Sequence, residues 1–302
     1  MRGLLEGLAG VGHVREARQL TGGDIHTTWL VTRTDGSQVV VKTTADVPPQ
    51  MFTAEAEGLA AIAATGAMAA PRVLAVSDTH LVMEAFVPRQ PGDAERPEFW
   101  ESAGRALAGM HQSRAELFGW HRDGWLGSLP QRNSWSPDGY EFYAEQRLLR
   151  YLPEPGVRAV LDGGQLAAVE RIAARLPELV PPMPPVLTHG DLAPGNILAT
   201  PDGRSALIDP AASYGWAEVD VSMIYCLRGQ VVPERYFAAY EEVSPLQPGW
   251  RDRAPLIHLR ELLSLLAHFP DRAPVVQFVM PLVDHVTATF GCAETSAHSP
   301  LI

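Results

Sequence analysis

The chain has 302 residues, of which 46% are hydrophobic and 20% are charged, and its formal net charge is −11. This composition is typical of a globular protein and excludes a disordered or fibrous chain, and the length is sufficient for two lobes that pack on each other. The acidic balance argues against broad binding to nucleic acid, which requires a basic surface, although it allows the binding of a single nucleotide.

The cysteine content and the apolar runs of the sequence favour a reducing, cytoplasmic compartment. Cys226 and Cys292 are too few for a disulfide framework, which favours a reducing environment. The first apolar stretch is broken by Glu6 and lacks the pattern of a signal peptide. No run of about 18 apolar residues occurs. We therefore expect a cytoplasmic monomer that has neither a membrane nor a nucleic acid as its partner.

The first quarter of the chain has the pattern of a β-rich lobe. Runs of β-branched residues lie on both sides of Asp35-Gly36, which is a strong hairpin signal. One strand ends as "VVVK" at Lys42, comparable to the strand whose lysine holds nucleotide phosphates in phosphate-transferring enzymes. Ahead of it, "LTGGDIHTTW" contains Gly23, whose neighbouring backbone amides could bind phosphates. A plain hairpin turn is an equally good interpretation of that stretch.

A helix is predicted at about 50–65, and its periodicity separates two glutamates. Glu55 recurs at helical spacing with Leu59 and shares the buried face. Glu57 lies about 200° around the helix from Glu55 and should face water. Glu55 is therefore the candidate partner of Lys42.

Two further strands follow in "RVLAVSDTHLVMEAF", before the proline-rich connection "VPRQPGDAERP". The end of the second strand is a candidate hinge between two lobes. There, adenine would hydrogen-bond the backbone of Glu84 and Phe86, with Met83 behind the ring. A last strand packed into the core is the alternative interpretation. We place an N-terminal nucleotide-binding lobe at 1–86 and a catalytic and substrate-binding lobe at 87–302.

The second part of the chain is mainly helical, so the fold class is α+β. The segment "APVVQFVMPLV" near residue 273 is predicted to be a buried helix or strand. The other predicted helices are 96–115, 138–151, 164–177, 217–228, 233–242 and 250–268.

The stretch "LTHGDLAPGNILATPDGRSALIDPAASYG" contains two aspartates and an asparagine around a turn. Asp202-Gly203 predicts a two-residue hairpin loop, which places Asn196 directly opposite Asp209. Opposed residues have Cβ atoms about 4.5–5.5 Å apart, so an amide oxygen and a carboxylate would lie side by side. Two hard oxygen ligands at this separation suit Mg²⁺.

Asp191 lies on the loop that leads to the same point, where its carboxylate could accept a proton from a hydroxyl. The run "HGDLAPGN" fits the catalytic-loop pattern H-x-D-x-x-x-x-N of kinases. His189 begins this loop and is assigned to its support, and we expect Asp220 to tie down the loop backbone. The alternatives are a surface loop whose polar residues satisfy turns, and a helix N-terminal charge in the case of Asp220.

With these residues in place, the chain resembles the fructosamine kinase (ketosamine-3-kinase) family, within the aminoglycoside phosphotransferase and choline kinase group. The likeness runs over most of the chain and includes "GGDIHTTW", "MFTAEAEGLAAI", "LVMEAF", "LPQRNSWSPDGYEFYAEQRL", "LTHGDLAPGNI" and "LIDPAASYGWAEVDVSMIY". "HGDLxxGN" is shared by the whole group, whereas "QRNSW" and "DPAASYG" are more particular. The resemblance implies a two-lobed protein-kinase-like fold and ATP-dependent phosphorylation of the 3-hydroxyl of a sugar joined to an amine.

The resemblance also implies residue roles. Asp191 would be the catalytic base, and Asn196 and Asp209 would be the magnesium ligands. Lys42 with Glu55 would be the pair that holds the phosphates of ATP.

Two departures from the family pattern affect the acceptor side. Ala193-Pro194 replaces the usual Trp-Ser of the catalytic loop, and Trp216 stands where the family usually has histidine. Trp216 could restore a ring from the other side. Trp135, within the family-like "QRNSW", is the preferred candidate for contact with the sugar. The other aromatic candidates are Trp120, Trp125 and Tyr140.

Three functions therefore remain open. The first is a kinase for a ketosamine of the fructosamine or ribulosamine type. The second is a phosphotransferase for an aminoglycoside or another amino-alcohol. The third is a nucleotide-binding pseudokinase. A protein kinase is disfavoured, because the interval between Asp209 and "VDVSM" is too short for a long activation segment.

Overall fold

The computed structural model of the chain describes residues 2–20, 27–43, 48–86, 97–200, 202–227, 229 and 232–291. Gly23 of the predicted phosphate-binding loop and Cys292 lie outside these residues, as does most of the proline-rich connection. The position of the lobe boundary after residue 86 therefore stays a prediction. None of the helices in the described ranges combines the length and the apolar character needed to cross a bilayer.

The N-terminal part is built on a five-stranded antiparallel sheet, in the order β1-β2-β3-β5-β4. A short helix precedes the sheet, and a longer one crosses it between the third and fourth strands. The elements are α1 (Arg2–Glu6), β1 (Val14–Gln19), β2 (Thr27–Arg33), β3 (Gln38–Thr43), α2 (Met51–Ala64), β4 (Val73–Val76) and β5 (His80–Glu84).

Alternation along β3 explains why Lys42 points towards α2. Val39 and Val41 are buried in a cluster on the α1 side of the sheet. Val40 faces the other side and packs against the cluster formed by α2 and β5. Because side chains alternate between the two faces of a strand, Lys42 lies on the same side as Val40.

The remainder of the described chain is mainly helical, with two large hydrophobic clusters. Its helices are α3 (Pro97–Met110), α4 (Gly139–Tyr143), α5 (Pro155–Val160), α6 (Gly163–Ala174), α7 (Leu176–Leu179), α8 (Glu218–Leu227), α9 (Glu234–Val243), α10 (Trp250–His268) and α11 (Ala273–Phe290).

Two predicted helices differ from the observed ones. The helix predicted at 96–115 ends at Met110, because the following segment pairs with the chain near Val186 through a bridge from Arg114. The helix predicted at 138–151 is α-helical only to Tyr143 and continues as a π-helical and a 3-10 turn.

Three short antiparallel ladders surround the cleft beneath the sheet. The pairs are β6 (Gly124–Leu126) with β7 (Leu129–Gln131), β8 (Val186–Thr188) with β11 (Ser213–Gly215), and β9 (Ile197–Ala199) with β10 (Ser205–Leu207). The loops that connect β8 with β9 and β10 with β11 contain four of the predicted site residues, His189, Asp191, Asn196 and Asp209.

The β9–β10 hairpin corrects the predicted register by one residue. Ile197 pairs with Leu207, and the amide of Ile208 donates to the carbonyl of Asn196 at 3.1 Å, so Asn196 does not lie opposite Asp209. The amide of Thr200 donates to the carbonyl of Arg204 at 2.8 Å, which leaves three residues between this pair instead of two.

Candidate active site

The catalytic-loop backbone is anchored by Asp220, at the start of α8. This fully buried carboxylate accepts hydrogen bonds from the amides of His189 (2.7 Å) and Gly190 (2.8 Å). Nε2 of His111 lies 3.1 Å from its Oδ2. Burial alone would raise the pKa of Asp220, but these partners outweigh burial and hold that pKa below its usual value. The carboxylate is therefore charged, and the contact is the one that the sequence predicts.

His189 supports the loop from inside. The amide of Asp191 donates to Nδ1 of His189 at 3.2 Å, so Nε2 carries the ring proton and donates to the carbonyl of Ile208 at 2.8 Å. Burial lowers the pKa of His189, which agrees with a neutral ring. The imidazole thus joins the loop to the end of the β9–β10 hairpin.

Gly190 allows the catalytic loop to approach a second loop of the site, residues 208–212 between β10 and β11. Its φ of +78° is in the left-handed region, and a Cβ at this position would lie 2.3 Å from the carbonyl oxygen of Ala211. Any side chain would push these loops apart, so the glycine before Asp191 is required by packing as well as by conformation.

Asp191 is half-buried at the bottom of the cleft. Burial raises its pKa to about 7; Arg260 opposes this effect, and the neighbouring carboxylates of Glu261 and Asp209 add to it. A carboxyl group with this pKa can exchange a proton near neutral pH, as a general base must.

Asn196 and Asp209 line the same cavity, although they are not a paired position of the hairpin. Nδ2 of Asn196 donates to the carbonyl of Asp191 at 2.8 Å, which fixes the orientation of the amide. Asp209 follows the last paired residues and has a φ of +61°, which is unusual for a residue with a side chain. Such conformations concentrate at functional sites.

Lys42 connects the sheet, α2 and the second loop. Its Nζ lies 2.6 Å from Oε1 of Glu55 and 2.5 Å from Oδ1 of Asp209. Burial would lower the pKa of Lys42, but the two carboxylates outweigh it and raise that pKa, so the ammonium group remains charged. Glu55 is buried, as the periodicity predicts, whereas Glu57 contacts Nε2 of His121 (2.9 Å) and forms an ion pair with Arg122 instead of facing water alone.

One cavity of about 230 Å³ therefore gathers five of the predicted residues. They come from β3, α2, the catalytic loop and the end of the β9–β10 hairpin. These residues are Lys42, Glu55, Asp191, Asn196 and Asp209.

The two tryptophans selected from the sequence do not line this cavity. Trp216 is only 2% exposed and stacks on Tyr143 with ring centroids 5.0 Å apart, so its predicted contact with substrate is wrong. Trp135 is 46% exposed and stacks on Tyr214 at 6.4 Å. The tryptophans that line the cavity are Trp120 and Trp125.

The candidate hinge lies away from this cavity. Met83 is buried with Phe52 and Leu81 beneath α2. The amide of Glu84 donates to the carbonyl of Arg72 at 3.0 Å, so strand pairing already uses it. Glu84 and Phe86 line a second cavity with residues of the β9–β10 turn.

A link that sequence reasoning missed ties the two loops of the site together. The guanidinium of Arg260 donates to the carbonyl of Gly190 (2.6 Å) and to Oε1 of Gln131 (2.8 Å). Nε2 of Gln131 donates to the carbonyl of Ala211 at 2.9 Å. The signal was present, since Arg260 is a charged residue on the apolar face of α10 and Gln131 belongs to "LPQRNSW".

A small antiparallel sheet above a mainly helical part, with loops from both meeting in one cleft, is the fold of the protein-kinase-like phosphotransferases. The predicted α+β fold class is thereby confirmed. The chain belongs to the fructosamine kinase family, whose profile matches residues 4–278. It is accordingly an enzyme, a phosphotransferase with an alcohol group as acceptor.

Individual relatives agree with this placement. A protein of Synechocystis sp. (strain ATCC 27184 / PCC 6803 / Kazusa), named as a probable ketoamine kinase, is 32% identical over 269 residues, covering 83% of this chain and 84% of its own length. The crystal structure of a protein assigned as a fructosamine-3-kinase from Thermobifida fusca YX-ER1 has a TM-score of 0.80 at 34% identity, covering 96% of this chain and 98% of that one. A thermostable mutant of the aminoglycoside phosphotransferase APH(4)-Ia has a TM-score of 0.66 at 16% identity, covering 95% and 98%, and shows the fold alone.

Proposed function

We propose that this protein is an ATP-dependent kinase that transfers the γ-phosphate to a sugar hydroxyl of a ketosamine of the fructosamine or ribulosamine type. Membership of the fructosamine kinase family and the likeness to a protein named as a ketoamine kinase support this acceptor class. The observation that carries the proposal is the convergence of Lys42, Asp191, Asn196 and Asp209 on one cavity. Phosphoryl transfer requires this combination of positioning and charge.

Asp191 is the proposed catalytic base. Its pKa of about 7 leaves a large share of the carboxylate form at neutral pH, ready to accept the proton of the acceptor hydroxyl. His189, Asp220 and Arg260 hold the loop that carries it through the contacts described above. These three residues act by positioning the base rather than by touching the substrate.

Asn196 and Asp209 are the proposed ligands of Mg²⁺. Both offer hard oxygen atoms, and the NH₂ group of Asn196 is occupied by the carbonyl of Asp191, which reserves its oxygen for another partner. Across the described ranges no three or more His, Cys, Asp or Glu residues form a metal-binding group, so phosphate oxygens and water would complete the coordination, as Mg²⁺ usually requires. A bound magnesium ion supplies neutralisation of the charge on the phosphates.

The nucleotide would lie between the sheet and the catalytic loop. Lys42, oriented by Glu55, is the proposed contact with the phosphates, together with backbone amides around Gly23. The adenine is proposed to lie at the strand end formed by Met83, Glu84 and Phe86. Because the amide of Glu84 is already paired, its carbonyl and the backbone of Phe86 are the groups proposed for adenine.

Phosphorus NMR with ATP and Mg²⁺ tests the function. A fructosamine, a ribulosamine and an aminoglycoside are offered in parallel, and we expect a sugar phosphate ester to form from a ketosamine. Asp191→Asn should abolish this product and leave nucleotide affinity nearly unchanged. A product from the aminoglycoside alone would transfer the proposal to the second acceptor class, whereas no product from any acceptor would favour a pseudokinase. Turnover by Asp191→Asn would exclude Asp191 as the base.

A further inference from the structure

The cavity that contains Asp191 has a wall whose residues have no role in the proposed phosphate transfer. β6 and its neighbouring residues supply this wall, and β6 lies against α2. The candidate hinge residues Met83, Glu84 and Phe86 do not line this cavity, whereas the wall and Asp191 both do. An acceptor whose hydroxyl reaches Asp191 inside this cavity would therefore meet this wall. Its members are Trp120, Asp123, Gly124, Trp125, Gly127 and Asn133.

The charge of this wall is set by Asp123. Its Oδ1 accepts a hydrogen bond from the backbone amide of Asn133 at 2.8 Å, which fixes the carboxylate in place. Among the described residues no lysine, arginine or histidine forms an ion pair with it. The one lysine that lines the cavity, Lys42, is already held between Glu55 and Asp209. Within the described part of the chain, the Asp123 carboxylate of this wall thus has no cationic side chain as its partner.

Aromatic surface accompanies this charge. The catalytic loop offers no phenylalanine, tyrosine or tryptophan between His189 and Asn196, so the rings nearest the acceptor come from Trp120 and Trp125. Indole faces attract cations and cover the apolar side of a sugar. A carboxylate and two indoles that line one cavity favour a ligand that is both cationic and partly apolar.

We propose that Asp123, flanked by Trp120 and Trp125, is the subsite for the protonated amine of the acceptor. This inference rests on the proposed function, since a ketosamine carries a secondary ammonium group next to its sugar. In this subsite the ammonium pairs with the Asp123 carboxylate while the sugar extends towards Asp191. The subsite selects a charged amine over a neutral sugar derivative.

Isothermal titration calorimetry on the full chain tests the subsite. The two ligands are 1-deoxy-1-propylamino-fructose and its neutral ether 1-O-propyl-fructose, each titrated at pH 7 with saturating Mg²⁺ and a non-hydrolysable ATP analogue. We expect the amine to bind about five- to tenfold more tightly than the ether, which corresponds to a solvent-accessible ion pair. Asp123→Asn keeps an oxygen for the Asn133 amide and should lose this preference without weakening the binding of the ether. Glu116→Gln, which removes an exposed charge outside the cavity, should retain the preference.

The outcomes separate the subsite from the proposed function. Equal binding of the two ligands, binding of neither, or a preference that survives Asp123→Asn would overturn the subsite. Turnover of the same amine is followed independently by phosphorus NMR. If the preference for the amine depends on Asp123 but no turnover is seen, the subsite is upheld and the kinase proposal is contradicted. If turnover is seen without a preference for the amine, the kinase proposal is upheld and the subsite is contradicted.

Discussion

At the scale of single residues, the surroundings of Asp191 link chemistry to stability. Burial raises its pKa to about 7, with Arg260 opposing and nearby carboxylates adding to the effect. The same shift that would suit the proposed base disfavours the charged form of Asp191 in the folded protein. The proposed role as a base and the stability of the fold therefore make opposite demands on this position.

Asp191→Asn should stabilise the ligand-free protein at pH 8. Because the folded-state pKa is raised above its usual value of 3.8, the group stabilises the fold fully below that value and loses this contribution as pH rises through about 7. Asparagine cannot ionise, so we expect the free energy of unfolding at pH 8 to rise by on the order of 1–2 kcal/mol after allowance for solvent screening, with no gain at pH 4. Denaturant titrations at both pH values measure this, with Glu116→Gln as a control for net charge. A variant that is less stable than its parent at pH 8 contradicts the prediction.

Residue-level prediction from sequence succeeded where local periodicity decides the outcome. The helical spacing of Glu55 and the position of Lys42 at a strand end were sufficient to predict a buried pair. Trp216 shows the limit, because its burial depends on Tyr143, which is distant in sequence. Nothing local to Trp216 distinguishes a core ring from one that faces the cleft.

At the scale of elements, the position of α2 depends on one contact with the second loop of the site. A Cβ added to Gly58 would lie 2.9 Å from Cγ of Pro210 and 3.2 Å from Cβ of Ala212. The helix can approach Pro210 closely only because Gly58 has no side chain. This approach brings Glu55 to Lys42 and Asp209.

Replacement of Gly58 should separate α2 from the loop in proportion to side-chain size. Gly58→Ala gains helix propensity and requires a small shift, so its effect should be small. Gly58→Val adds two more carbons and should lower the free energy of unfolding by about 1–3 kcal/mol and kcat/KM by about tenfold, because overpacking displaces the helix. Denaturant titration and steady-state kinetics measure both variants. Parent-like values for Gly58→Val would show that α2 is not positioned by this contact.

The β9–β10 hairpin shows that a pattern of apolar runs around a turn does not determine the length of the hairpin loop. The apolar runs on both sides of Asp202-Gly203 identified the pairing strands, but not the length of the turn. The hydroxyl of Thr200 accepts a hydrogen bond from the amide of Arg204, and Gly203 adopts a φ of +84°, which together close a longer loop. Three-residue hairpin loops often end in a residue of this conformation, and one extra residue shifts the register.

At the scale of the whole molecule, the site joins parts of the chain that are far apart in sequence. Lys42 and Asp209 are separated by 167 positions, and Arg260 from α10 reaches Gly190. A nucleotide that contacts both the N-terminal sheet and the helical part would therefore stabilise each part and also their association. Sequence patterns identified the residues of each part of the site, whereas the contact of Arg260 with Gly190 became evident only from the fold.

Binding of a magnesium-bound ATP analogue should raise the melting temperature. At a free ligand concentration 100 times Kd, linkage adds about 2.7 kcal/mol to the free energy of unfolding. Asp209→Ala should lose most of this gain, because it removes a proposed metal ligand and a partner of Lys42. Thermal melts with and without EDTA measure the effect, and Trp135→Ala, outside the cavity, serves as the control. An equal shift in Asp209→Ala and the parent would contradict the metal role.

The bridging ammonium of Lys42 has a consequence for how the cleft receives its first ligand. An ammonium group has three hydrogens, and two of them are directed at Glu55 and Asp209. The third can meet an incoming phosphate oxygen while both existing bonds persist. Under the proposed function, docking of a triphosphate would therefore require neither of the two ion pairs of Lys42 to break, because its ammonium group keeps one hydrogen for a phosphate oxygen.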